Sequence, residues 1–134
     1  MRVVLDTNVL VAALVAEGLC REVVHRAVRL RVLATSRPLM DELDTTLKRK
    51  FGITPAAAAF LKAFRQQVLL VEPEPLPKRV CRDPDDDLVL ATALGADATT
   101  IVTGDDDLLV LGSYSGIEIQ TPRRFLEQLE ANSK

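Results

Sequence analysis

Four helix starts in this chain are written in the same way, with a Ser, Thr or Asp just ahead of a proline: Ser36-Arg37-Pro38, Thr54-Pro55, Asp83-Pro84 and Thr121-Pro122. The side-chain oxygen accepts a hydrogen bond from an N–H of the first turn. Proline suits that turn because its missing N–H is not needed there. The helices these signals open run to about Lys50, over Ala56–Gln67, through about Gly95 and over Arg123–Glu130. Short apolar runs rich in β-branched residues fall before or between them. Arg2–Leu5, Val32–Thr35, Val68–Val71, Thr100–Thr103 and Ile117–Gln120 read as strands. Asn8–Val15 and Arg21–Leu30 complete the helices. In the second, Val23, Val24, Ala27, Val28 and Leu30 alternate with Arg21, Arg26 and Arg29 at helical spacing. Leu108–Leu111 reads as one short helical turn, and Pro73–Pro77 as a proline-broken loop.

Strands alternating with helices imply a mainly parallel sheet covered on both faces. The expectation is therefore an α/β fold: a three-layer α/β/α sandwich around about five strands, with residues 1–134 as a single domain. Composition agrees, since 48% of the residues are apolar but only 4% aromatic, so Leu, Val and Ala must fill the interior. No stretch approaches the roughly 20 apolar residues of a membrane span. The apolar run after Met1 is too short for a signal peptide and meets Asp6 at once. Cys20 and Cys81 match neither a disulfide framework nor a zinc motif. These features point to a cytoplasmic protein with reduced thiols.

In parallel sheets ligands gather beyond the carboxyl ends of the strands. Asp6 follows the first strand, and Asp105 and Asp107 follow the fourth. Asp86 lies in the first turn of the helix entered after the third strand, and Glu42 one turn inside the helix after the second. Each has an ordinary alternative. Asp6 would cap the next helix, as would Asp83, with Asp85, Asp86 and Asp87 complementing the helix dipole. Asp105-Asp106-Asp107 would make a solvated turn, and Glu42 an exposed helix face with Asp41 and Asp44. Coincidence at four strand ends is the weaker explanation. Like charges so gathered repel, and a hard divalent cation such as Mg²⁺ or Mn²⁺ resolves the conflict because it takes oxygen ligands.

The same residues resemble the motifs of the PIN-domain family. Val3-Val4-Leu5-Asp6-Thr7-Asn8 is similar to its opening strand and acid, and Ser36-Arg37-Pro38-Leu39-Met40-Asp41-Glu42 to its second motif. Arg82-Asp83-Pro84-Asp85-Asp86-Asp87 resembles the third, and Thr103-Gly104-Asp105-Asp106-Asp107-Leu108 the fourth. The last two are the variants seen in the subgroup of toxin components of toxin–antitoxin systems (VapC-like ribonucleases). The resemblance implies metal-dependent hydrolysis of RNA, with one or two Mg²⁺ or Mn²⁺ ions. Asp6, Asp86, Asp105 and Asp107 are then expected as metal ligands. Glu42 joins them as a catalytic acid that binds a second ion or orients water. Asn8 and Thr103 are expected to hydrogen-bond to these carboxylates. Motif register selects Asp86 over its neighbours Asp83 and Asp87, which take supporting places. The resemblance further implies a homodimer and an antitoxin protein as partner.

A net charge of −2 argues at first against a nucleic-acid partner, but seven of the 19 acids sit in two short runs. With the five candidate site acids set aside, the 17 Lys and Arg outnumber the remaining acids. Lys78, Arg79 and Arg82 beside the third motif are expected phosphate contacts. Lys48, Arg49 and Lys50 are weaker ones, because cations at a helix C-terminus complement its dipole without any ligand. His25, remote in sequence from every candidate site acid, reads as structural. Two other activities fit an acidic α/β pocket less well. A phospho-accepting receiver domain needs a lysine after its last strand, where this chain has Thr121-Pro122. A dehalogenase-like phosphatase needs an acid where Asn8 stands. An RNA-processing nuclease that is not a toxin is the nearer alternative.

Overall fold

The computed structural model describes residues 1–132. Its sheet has the order β3-β2-β1-β4-β6-β5, built from β1 (Val3–Leu5), β2 (Leu33–Thr35), β3 (Leu69–Leu70), β4 (Thr100–Val102), β5 (Ser113–Tyr114) and β6 (Ile117–Gln120). All neighbouring strands are parallel except the β5–β6 hairpin. The helices are α1 (Thr7–Val15), α2 (Leu19–Leu30), α3 (Arg37–Lys50), α4 (Pro55–Gln67), α5 (Pro84–Gly95), α6 (Asp106–Leu109) and α7 (Pro122–Asn132).

Side chains alternate across a strand, so a fully apolar strand must be covered on both faces. Val3 and Leu5 of β1, with Leu33 and Val102, face a cluster formed with α1, α2, α3, α4 and α7, including Leu43, Phe64 and Phe125. Val4, Ala34 and Ile101 face the opposite way, onto Val89, Leu90 and Ala93 of α5 and Leu108 of α6. This is the expected α/β/α sandwich. The sheet has six strands rather than about five. The addition, β5, pairs for two residues with β6 across a turn in which Ser115 and Gly116 take positive φ angles of 50° and 82°.

The four proline-marked helix starts behave as their chemistry predicts. Ser36 Oγ accepts from Leu39 N–H, Thr54 Oγ1 from Ala57, Asp83 Oδ1 from Asp85 and Thr121 Oγ1 from Arg124. Ser36 also meets Thr92 Oγ1 at 2.9 Å, both hydroxyls being buried, and so joins the start of α3 to the middle of α5. The loop after β3 passes close to the last residue of α5: a Cβ on Gly95 would lie 2.0 Å from the Glu72 carbonyl oxygen, so only glycine fits there. α1 and α2 each begin ahead of the expected residue, at Thr7 and Leu19. α6 begins at Asp106 instead of Leu108, because Asp105 caps it. The third strand, expected over Val68–Val71, pairs only at Leu69 and Leu70. Both are exposed, as an edge strand allows.

β1 lies between β2 and β4, so the chain leaves it in one direction and returns on its other side. The ends of β1 and β4 flank this reversal of strand order, where a crevice opens in sheets of this kind.

Candidate metal centre

Asp6 leaves β1 with its N–H still bonded to the Val102 carbonyl at 3.0 Å, so the β1–β4 pairing holds its backbone. Asp6 is the N-cap residue of α1, yet its side chain makes no capping hydrogen bond of full geometry, and the Thr7 and Asn8 N–H groups only lower its pKa from nearby. Instead Thr103 Oγ1 donates to Asp6 Oδ2 at 2.7 Å and accepts the Asp105 N–H at 3.0 Å. One fully buried hydroxyl thus joins the acids that follow two strands. Burial raises the Asp6 carboxyl pKa, the Thr103 bond lowers it, and the nearby Asp105 raises it.

Asp86, Asp105 and Asp107 each present one carboxylate oxygen within 4.8 Å of the others. Asp86 comes from the first turn of α5 and is only 6% exposed, while Asp105 and Asp107 are half-buried at the start of α6. Asp105 uses Oδ1 to cap α6 through Asp107 N–H. Burial, reinforced by Asp105 and by the charges of Asp6 and Asp83, raises the Asp86 carboxyl pKa well above its ordinary value.

A cleft of about 350 Å³ opens beside this cluster, lined by Asp6, Glu42, Asp83, Asp85, Asp86 and Asp105. Glu42 comes from α3, so the helix after β2 does return its acid to the same edge. Its carboxyl is pushed up to about 7 by burial and by Asp85, Asp6 and Asp83. Asn8 also lines the cleft; its backbone N–H acts on the Asp6 carboxylate, but no side-chain hydrogen bond from it to a carboxylate is found among the described residues.

The donor set fits a hard divalent cation. Asp86 Oδ2 and Glu42 Oε2 are buried and have no hydrogen-bond partner among the described residues. Buried carboxylate oxygens left unpaired are costly, and a cation removes the cost while neutralising the mutual repulsion of the acids. The ligand atoms are all oxygen, the choice of Mg²⁺ and Mn²⁺. Asp6 stands outside the group whose oxygens meet within 4.8 Å, although it lines the cleft and acts on Asp86 through its charge.

The other candidates divide clearly. Asp83 caps α5 and also lines the cleft. Asp87 does not reach the cleft; it accepts the N–H groups of Val80 at 3.2 Å and Cys81 at 2.7 Å, and so holds the loop ahead of α5. Arg79 spans the same loop, donating to the carbonyls of Cys81 and Arg82, and with Lys78 it lies in a separate surface depression. Arg82 pairs with Asp107 at 2.8 Å. Arg49 and Lys50, weaker expectations from their position at a helix end, line the acidic cleft, whereas Lys48 does not. Thr45 and Thr46, one helical turn from Glu42, line it too and were not anticipated. Only their spacing from Glu42 on α3 could have signalled them. His25 lies in an apolar groove between α1, α2, α3 and α4. Burial and Asp87 push the Cys81 thiol up to about 12, so it supplies no thiolate near neutral pH.

The chain superposes on the crystal structure of PAE2754 from Pyrobaculum aerophilum with a TM-score of 0.60 and 20% identity, covering 98% of this chain and 90% of that one. This is a likeness of fold. No match was found among curated protein sequences. The family model described as PIN domain matches residues 2–107, from the start of β1 through the Asp105–Asp107 run. The chain therefore belongs to the PIN-domain family.

Proposed function

We propose that this chain is a divalent-metal-dependent endoribonuclease, acting in the cytoplasm as the toxin of a toxin–antitoxin pair. The observation that carries the metal-dependent hydrolysis is the convergence of Asp86, Asp105 and Asp107, three carboxylates from two helix starts with ligand oxygens within 4.8 Å of one another. PIN domains are generally nucleases, and family membership gives the reaction class. Asp86, Asp105 and Asp107 would hold a Mg²⁺ or Mn²⁺ ion, with Asp6 and Glu42 at its margin. Bound there, the ion would supply Lewis acidity and a water of lowered pKa for attack on a phosphodiester. The chain's own groups do the rest. Thr103 fixes Asp6 and Asp105 relative to each other, Glu42 offers an unpaired oxygen as proton acceptor, and Arg49 and Lys50 attract phosphate to the cleft wall.

The toxin role, the antitoxin partner and a homodimer are supported by resemblance of the Arg82–Asp86 and Thr103–Leu108 segments to that subgroup. An apolar groove of about 530 Å³, lined among others by Leu14, Leu47, Phe51 and Phe60, is a surface such a partner could cover. The test is incubation of the purified protein with mixed single-stranded RNA in Mg²⁺, Mn²⁺ or EDTA, alongside Asp86→Asn and Asp105→Asn. Cleavage that requires metal and vanishes in both variants is expected. Cleavage that persists in EDTA, or in both variants, would overturn the assignment.

A further inference from the structure

The Arg82 guanidinium sits 2.8 Å from Asp107 Oδ1, on one of the three carboxylates of the candidate metal centre. The root of this arginine is firmly placed. Arg79 donates to its carbonyl, Asp87 holds the two preceding N–H groups, and Asp83 begins α5 immediately after it. The tip is free by contrast, with the Arg82 side chain 87% exposed and bonded to a single oxygen. So a rigid loop carries one arginine over the edge of the acidic cluster. An exposed ion pair of this kind is weak and exchangeable. The planar guanidinium fork matches phosphate as well as it matches carboxylate.

We propose that Arg82 is a substrate-binding residue held in reserve on Asp107: a divalent cation takes Asp107 from it, and the released guanidinium then binds a phosphate of the nucleic-acid strand. The inference rests on the metal-nuclease reading. Arg82 and the cation compete for one carboxylate, so removing the arginine strengthens metal binding. Arg82 is freer to meet phosphate when the cation holds Asp107, so metal and strand bind with positive coupling of the few-fold size that an exposed ion pair allows. A plain surface arginine would contact phosphate equally with and without metal.

The test needs no turnover. Mn²⁺ binding is measured by calorimetry on the wild type, Arg82→Ala and Arg82→Lys. The affinity of each for a phosphorothioate-linked single-stranded oligonucleotide, which keeps its charge and resists hydrolysis, is measured in EDTA and in Mn²⁺. Arg82→Ala is expected to bind Mn²⁺ about two- to fivefold more tightly, the range an exposed ion pair provides. It should lose about two- to fivefold of the Mn²⁺-dependent gain in oligonucleotide affinity, while its affinity in EDTA changes less. Arg82→Lys, which keeps the charge but not the fork, should fall between the two. Unchanged or weaker Mn²⁺ binding by Arg82→Ala would overturn the proposal, as would an equal loss of oligonucleotide affinity in both buffers. A wild type that binds no Mn²⁺ would overturn the metal centre itself, an outcome distinct from Mn²⁺ binding that ignores Arg82.

Discussion

Thr103 donates its hydroxyl proton to Asp6 across 97 residues of chain, and the same oxygen accepts the Asp105 N–H. Replacing it by valine keeps the shape and removes both bonds. The Asp105 N–H and the Asp6 carboxylate then lose a partner in a site whose hydroxyl has no exposure to solvent. Thr103→Val is expected to cost about 1–3 kcal/mol of stability, measured by denaturant unfolding. It should also weaken Mn²⁺ binding by about 10- to 100-fold, as loss of groups that orient metal ligands does. Unaltered metal affinity in a folded variant would show that the bond has no part in arranging the site.

Adjacent acids on α5 are expected to respond in opposite ways. Asp86→Asn removes a member of the three-carboxylate cluster and should abolish Mn²⁺ binding by calorimetry while leaving the protein folded. Asp87→Ala removes the acceptor for the Val80 and Cys81 N–H groups. It should cost about 1.5–3 kcal/mol of stability, the range for hydrogen bonds to a charged group, yet change Mn²⁺ affinity far less than Asp86→Asn does, because Asp87 supplies no oxygen to the cluster. The reverse pattern would move the ligand from Asp86 to Asp87.

The raised carboxyl pKa values make metal-free stability depend on pH. Burial lifts Glu42 to about 7 and Asp86 well above its ordinary value, whereas both titrate near 4 in the unfolded chain. Between about pH 4 and 7 the native state therefore holds more protons than the unfolded state, so stability falls as pH rises through this window. In EDTA the denaturant midpoint should drop from pH 5 to pH 7.5. Asp86→Asn should flatten that drop, and saturating Mg²⁺ should reverse it at the upper end. A midpoint that rises over the same range would contradict the site's electrostatics.

Arg49 and Lys50 line the cleft but belong to no ion pair found among the described residues. Each is expected to contribute one phosphate contact. Alanine at either position should weaken single-stranded RNA binding and lower the slope of log affinity against log salt by about 0.7. The loss should be similar across RNA sequences. A loss confined to particular sequences would mean that these residues read bases instead.

Much of the fold was legible because helix starts are local chemistry. Ser36, Thr54, Asp83 and Thr121 each bond within three residues, and no tertiary information is needed to expect it. The acids at the strand ends were legible because a parallel sheet exposes one edge to ligands. What escaped notice depends on long-range placement. β5 is two residues held by a turn with positive φ at Ser115, a conformation that serine does not advertise. Thr45 and Thr46 reach the cleft because core packing and the Ser36–Thr92 bond set α3 beside α5, a tertiary placement. The role of Asp87 depends on where the loop before it runs, and a run of three aspartates gives no sign of which one turns back.

The position of β1 between β2 and β4 has a consequence for synthesis. Domains generally begin to organise from the N-terminus as the chain emerges from the ribosome. Asp6 emerges 97 residues before its hydrogen-bond donor Thr103, and Asp105 and Asp107 follow that. A nascent chain that stops before β4 has five helices and three strands to form but holds only part of its acid cluster. The proposed nuclease would be inert beside the messenger and ribosome that produce it until β4 and the Asp105–Asp107 run had been made.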